Sequence, residues 1–303
     1  MTSPDWIAAD WGTSHLRLWL MDESDRVLHR IAADCGMGSL ARDGFEPALL
    51  RHVGDRLAPG RVTPVICCGM AGSRQGWAEA PYARTPCPPP SLAQAAAAPT
   101  TDPRLEVRIL PGIAQERPAD VMRGEETQIK GWLAAHPGFD GVLCLPGTHC
   151  KWAHISAGEV VSFRTFMTGE LFALLSRQSV LRHSLSDEGW DDDAFAQAVA
   201  QAMSNPGSVA ADLFTIRAQS LLAGLDPAVA RARLSGLLIG LELGGARPWW
   251  LGQDVAIIGA PKIAAAYQAA LSGQGVPARL ADSEDMTLRG LIAARRAQRE
   301  NAA

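Results

Sequence analysis

The 303-residue chain has no basic surplus: 28 Lys and Arg stand against 32 Asp and Glu, a formal net charge of −4. Nucleic-acid binding normally shows as clustered excess positive charge, so no nucleic-acid partner is expected and any basic site must be local. No apolar stretch reaches about 18 residues, so no membrane span is expected. Met1 to Ile7 lack the charged start and apolar run of a secretory signal, which makes the cytoplasm the expected compartment. The six cysteines, Cys35, Cys67, Cys68, Cys87, Cys144 and Cys150, show no C-x-x-C spacing and no paired histidines. A zinc site is therefore not expected, and reduced, mostly buried thiols are.

What is present is apolar bulk. At 47% hydrophobic and 20% charged, the chain exceeds the length at which one core usually divides, and two α/β domains are expected. The boundary is placed at 120/121: residues 1–120 carry the first half, and residues 121–303 the second, with the last helix free to pack back on the first. Trp6 to Asp10 reads as a strand ending on an acid before a turn at Gly12, Thr13 and Ser14. His15 to Leu20 resumes as a strand, Asp22 to Asp25 make a polar turn, and Arg26 to Ala32 predict a third antiparallel strand. A helix is expected from Phe45 to Leu57, then a buried strand from Val62 to Cys68 ending in Gly69-Met-Ala-Gly-Ser73. Pro81 to Pro103 reads as an irregular surface excursion. Met122 to Ala135 predicts a helix with Glu125 and Glu126 in its first turn, where acids also suit the helix dipole.

From Gly141 the opening pattern returns. A strand runs into Gly147-Thr148, another runs through Trp152, a polar turn covers Ser156 to Gly158, and a third strand spans Val160 to Met167. This is an internal duplication, in which the position matching Asp10 is Leu145. Helices are expected at Leu171 to Leu181, Asp192 to Met203, Val209 to Leu222 and Ala228 to Ala246. A strand at Asp254 to Ile258 then meets Gly259-Ala260 and a helix through Leu271, a ready nucleotide contact. Asp191 to Asp193 read as a helix cap and solvated acids.

A Gly-Thr turn between strands points backbone N–H groups and a hydroxyl at one place, as phosphate oxygens require. Two such turns, each opening a meander, suggest two half-domains gripping one polyphosphate. Transfer of a phosphoryl group to an alcohol needs a carboxylate to accept the hydroxyl proton, and Glu125 and Glu126 are the candidates. Magnesium keeps its waters and takes few carboxylates, and Asp10 beside a phosphate turn meets that need.

The pattern resembles the superfamily of actin, hexokinase and the heat-shock chaperone ATPases. That resemblance implies two ribonuclease H-like domains with a central ATP cleft. It assigns ATP contacts to Gly12, Thr13, Ser14 and Arg17 in the first loop, to Gly147, Thr148, His149 and Lys151 in the second, and to Gly259 and Ala260 at the adenosine. It makes Asp10 the residue that organises Mg2+ through water, and it favours Glu126 as the base, with Glu125 orienting substrate or exchanging roles. Four strings narrow it further: Gly69-Met-Ala-Gly-Ser73 with Gly76-Trp77 and Pro81-Tyr82; Met122-Arg-Gly-Glu-Glu-Thr-Gln128; Pro146-Gly-Thr-His-Cys-Lys-Trp152; and Phe163-Arg-Thr-Phe-Met-Thr-Gly-Glu-Leu171. Together they resemble the 2-dehydro-3-deoxygalactonokinases, which implies ATP-dependent phosphorylation of 2-dehydro-3-deoxy-D-galactonate at its terminal 6-hydroxyl in galactonate catabolism.

Such a substrate needs a cation for its carboxylate, for which Arg123, Arg74 and Arg164 are candidates. Ser73 and Trp77 would position the polyol, and Thr168 and Glu170 would reach it from the second domain. A kinase of another sugar or sugar acid, or a non-catalytic sensor on the same fold, is the alternative. The sequence leaves the oligomeric state open.

Overall fold

The computed structural model describes residues 3–302, with side chains to residue 300. The chain divides into two units: residues 3–139, Ser156–Ser162 and 283–302 form unit one, and Asp140–Ile155 with Phe163–Asp282 form unit two. In chain order the strands are β1 (Trp6–Trp11), β2 (Leu16–Met21), β3 (Val27–Ala33), β4 (Thr63–Gly69), β5 (Tyr82–Arg84), β6 (Ala96–Ala97), β7 (Leu105–Ile109), β8 (Gly112–Glu116), β9 (Ala119–Met122), β10 (Gly141–Leu145), β11 (Cys150–Ser156), β12 (Glu159–Phe166), β13 (Val255–Gly259) and β14 (Ala278–Asp282). The helices are α1 (Phe45–Val53), α2 (Glu125–Ala135), α3 (Thr168–Arg177), α4 (Asp192–Ser204), α5 (Val209–Ala223), α6 (Pro227–Gly245), α7 (Arg247–Trp250), α8 (Pro261–Ser272) and α9 (Ser283–Ala302).

Unit one is built on a sheet of order β3-β2-β1-β4-β7-β6. β1 to β3 form the expected antiparallel meander, and β4 and β7 add in parallel. The period of two divides β1 between two cores, which is why it reads as apolar throughout. Ile7, Ala9 and Trp11 pack with Leu16, Leu18, Phe45 and Leu49 on one face. Trp6 and Ala8 pack with Trp19, Leu291 and Ala294 on the other.

Unit two repeats that plan. Its sheet has the order β12-β11-β10-β13-β14, again an antiparallel hairpin at β10-β11 followed by two parallel strands. The duplication read from two Gly-Thr turns is thus a duplication of sheet topology. Cys144, Trp152, Val199, Ile239, Trp250, Ile257 and Tyr267 belong to its core. The small-residue face of α6 packs on α4, where a Cβ added at Gly236 or Gly240 would stand 2.5 Å from the Phe195 or Val199 carbonyl oxygen.

Several elements differ from the sequence reading. The helix expected from Met122 starts at Glu125, because Ala119–Met122 is a strand paired with β8. α2 and α9 both fall in unit one, so the division lies after Phe139 rather than at 120. The stretch from Pro81 to Pro103 contains two short strands and buried Leu92. No helix among the described residues is long and apolar enough to cross a membrane. All six cysteines are free, and Cys67, Cys68, Cys144 and Cys150 are buried.

Candidate active site

In unit one the register of β1 and β2 sets Asp10 opposite Arg17. Arg17 Nη1 donates to Asp10 Oδ2 at 2.8 Å, and its Nε lies 3.8 Å from Glu284 Oε2 at the start of α9. The turn is closed by Gly12 N–H on the His15 carbonyl at 2.9 Å. The Thr13 and Ser14 carbonyls accept from Gly38 and Gly36, while both side chains are exposed. Burial pushes the Asp10 carboxyl upward, and the Arg17 charge and hydrogen bond pull against it. Among the described residues no group of three His, Cys, Asp or Glu side chains could hold a metal ion. A hydrated magnesium ion needs only one or two carboxylates, and Asp10 at the turn fits that donor set.

The first turn of α2 holds the paired acids. Glu126, 1% exposed, accepts from Gly124 N–H at Oε2 (2.7 Å) and from the Thr127 hydroxyl at Oε1 (3.2 Å). Burial first, and then the Glu125 charge, push its pKa up to about 7 against the backbone N–H bonds of Glu126 and Gly124 and the Arg123 charge. Half-buried Glu125 accepts the Arg123 N–H at 3.0 Å. The Arg123 guanidinium donates from Nη2 to the Ala80 carbonyl at 2.8 Å and lies 4.3 Å from the Tyr82 ring centroid. Its Nε and Nη1 are buried without a hydrogen-bond partner, as is the Ser73 hydroxyl. Ser73 adjoins the same corner: a Cβ at Gly72 would stand 2.8 Å from Arg123 Nη1.

The other unit-one candidates lie elsewhere. Arg74 is exposed, with Nε 3.6 Å from Glu79. Trp77 was expected against the sugar chain, but it is core: 2% exposed, stacked on Phe45 and donating from Nε1 to the Pro99 carbonyl. Its indole has no free face for a ligand.

In unit two the hairpin tip from Gly147 to His149 is exposed. Leu145 pairs with Lys151 where Asp10 pairs with Arg17, so the second turn carries no acid, and Lys151 is buried. The start of α3 docks on the tip. Glu170 N–H donates to the Thr148 carbonyl at 2.9 Å, its carboxylate meets His149 Nε2 at 2.7 Å, and Gly169 lies so close to Gly147 that a Cβ would stand 2.1 Å from its oxygen. The Thr168 hydroxyl donates to Glu242 and the Glu170 carboxylate meets His149, both contacts within unit two. Arg164 is exposed on β12.

Gly259 abuts the Pro146 ring, and Ala260 caps α8. Beside them is a cavity of 840 Å3, within the size range of small-molecule sites, lined by Gly147, Gly169, Trp190, Ser235, Lys262 and Tyr267 among others. No apolar or capping pattern in the sequence marks Trp190 or Ser235 as cavity-lining; Asp191 does cap α4, on Ala194 N–H at 2.7 Å.

The sequence profile of the family described as 2-keto-3-deoxy-galactonokinase matches residues 10–294. The chain is 42% identical to a Rhizobium meliloti (strain 1021) protein named "Probable 2-dehydro-3-deoxygalactonokinase", over 98% of this chain and 99% of that one. It is 33% identical to the 2-dehydro-3-deoxygalactonokinase of Escherichia coli (strain K12), over 89% and 90%. A crystal structure described as a "putative 2-dehydro-3-deoxygalactonokinase protein from Sinorhizobium meliloti" superposes with a TM-score of 0.89 at 41% identity, covering 96% of each chain. Component A of the Acidaminococcus fermentans (R)-2-hydroxyglutaryl-CoA dehydratase is similar in fold alone, with a TM-score of 0.54 at 14% identity over 97% of this chain and 98% of that one. Both solved structures share the mixed α/β fold of this chain. With the profile spanning most of the chain and both relatives aligned nearly end to end, the chain belongs to the 2-keto-3-deoxy-galactonokinase family.

Proposed function

We propose that the protein transfers the γ-phosphoryl group of ATP to the 6-hydroxyl of 2-dehydro-3-deoxy-D-galactonate, giving the 6-phosphate and ADP in galactonate catabolism. Family membership supports the substrate class. The observation that carries the chemistry is Glu126, a carboxylate whose pKa is pushed up to about 7. It stands three residues from an arginine with unpartnered N–H groups. A base poised near neutral pH combines a useful ionised fraction with real proton affinity.

In this reading Glu126 accepts the proton of the attacking hydroxyl, and the charge of Glu125 sets its basicity. Arg123 receives the substrate carboxylate, because its Nε and Nη1 are unpartnered charged donors, and Ser73, whose hydroxyl is also unpartnered, bonds to the polyol. Gly12 and Thr13 form the phosphate-binding turn of unit one and Gly147 and Thr148 that of unit two, where the nucleoside occupies the cavity beside Gly259 and Ala260. Magnesium, when bound, supplies positive charge to the phosphate oxygens as bonding changes, and Asp10 is the residue that would hold it through water.

Purified protein with magnesium and ATP should release ADP rapidly in a coupled assay with 2-dehydro-3-deoxy-D-galactonate and slowly with neutral hexoses. Turnover of a hexose without turnover of the keto acid would overturn the substrate assignment. Binding of both ligands without ADP release would overturn the enzymatic one.

A further inference from the structure

Glu242 has no place in the reaction proposed above, yet its surroundings are built with care. It lies on α6, one turn beyond Leu238 and close to Ile239, both of which line the cavity, and it is 2% exposed. Its Oε1 accepts Trp152 Nε1–H at 2.7 Å, and its Oε2 accepts the Tyr267 hydroxyl at 2.6 Å and the Thr168 hydroxyl. Burial pushes this carboxyl upward, while bonds from Cys150, Thr168, Tyr267 and Trp152 pull it down. Trp152 Nε1–H can only donate, and the two hydroxyls are aimed at a single oxygen. That arrangement satisfies a carboxylate better than a carboxylic acid.

Each donor belongs to a different element at the cavity. Trp152 is on β11, the strand that leaves the Gly147–Thr148 hairpin. Thr168 opens α3, whose next two residues are docked on Gly147 and Thr148. Tyr267 is on α8, which starts immediately after Gly259 and Ala260. Thr168 and Tyr267 also line the cavity wall beside Gly147.

Apolar packing alone could close this region, since Phe195, Val199 and Ile239 share its core. Replacing a buried polar cluster with well-packed apolar groups is often neutral or stabilising, so net stability does not account for an acid here. What directional bonds add over packing is fixed geometry.

We propose that Glu242 is a positioning residue for the nucleotide: its carboxylate ties β11, α3 and α8 together so that the hairpin and the cavity wall are set before ligand enters. This rests on the reading of Gly147–Thr148 as a phosphate-binding turn. Glu242→Gln keeps the shape but turns an N–H2 toward one side of the cluster, so at least one donor loses its acceptor.

The test is calorimetric titration of ADP, paired with steady-state kinetics. Glu242→Gln should bind ADP about tenfold or more weakly, the equivalent of one hydrogen bond to a charged group. KM for ATP should rise by a similar factor, with KM for the keto acid unchanged. Tyr267→Phe and Thr168→Val should each weaken ADP binding several-fold, and they decide the matter if Glu242→Gln does not fold. Wild-type-like ADP affinity in the folded variants, or an equal rise in both KM values, would overturn the proposal. Failure of the wild-type protein to bind ADP at all would instead overturn the phosphate-turn reading on which it rests.

Discussion

At Glu126 basicity and stability pull in opposite directions. Burial and the Glu125 charge raise its folded pKa from 4.5 to about 7. Between those values the native state holds a proton that the unfolded chain has released, so stability falls as pH rises through that window, and the whole penalty is present above it. Glu126→Gln should therefore gain more Tm over wild type at about pH 8 than at about pH 5. The same substitution should cut kcat by roughly 100-fold or more while sparing ADP affinity. Wild-type kcat/KM should fall as pH drops below about 7, and Glu125→Gln should move that acid limb lower by removing the like charge. If Glu125→Gln instead carries the large loss in kcat, the two acids exchange roles. Arg123→Lys should raise KM for the keto acid about tenfold or more and leave KM for ATP unchanged, because a lysine cannot offer the paired N–H geometry of a guanidinium.

The helices that carry these groups are placed by close backbone approach. α2 crosses α9 at two glycines: a Cβ at Gly131 would stand 1.9 Å from the Met286 oxygen, and one at Gly290 would stand 1.9 Å from the Thr127 oxygen. Only glycine lets Thr127, the residue after Glu126, meet α9 at that distance. Gly290→Ala should lower Tm by about 5 °C or more through overpacking, and at permissive temperature it should also depress kcat by displacing the first turn of α2. Differential scanning calorimetry and turnover on the same preparation check both effects. Gly169 plays the matching part in unit two, against the Gly147 oxygen. Gly169→Ala should raise KM for ATP by pushing the hairpin tip, with a smaller change in kcat.

Across the whole chain the same sheet plan appears in each unit. Hydrogen exchange should map the proposed contacts: ADP should protect Gly12–Thr13, Gly147–Thr148 and the start of α8, while the keto acid alone should protect 69–74 and 122–126. Protection of the same segments by both ligands would contradict those assignments. Much of this organisation was legible in the residues. The two Gly-Thr turns, the meanders around them and the missing acid at Leu145 are local patterns, because strand alternation and turn chemistry act over a few residues. The acids of α2 were visible for the same reason. Trp77 was misread because a tryptophan beside a glycine-rich string looks alike in a site and in a core; only its packing on Phe45 and its bond to Pro99 separate the two. The contacts of Thr168 and Glu170 lie beyond local patterns, because their partners are Glu242, 74 positions along the chain, and His149, 21 positions back. Strand alternation and turn chemistry write the duplication, the turns and the paired acids into the order of residues. Which polar groups are already satisfied and which, like Arg123 Nε, still have an N–H to donate emerges only on folding, since hydrogen-bond satisfaction depends on residues brought together from distant parts of the chain.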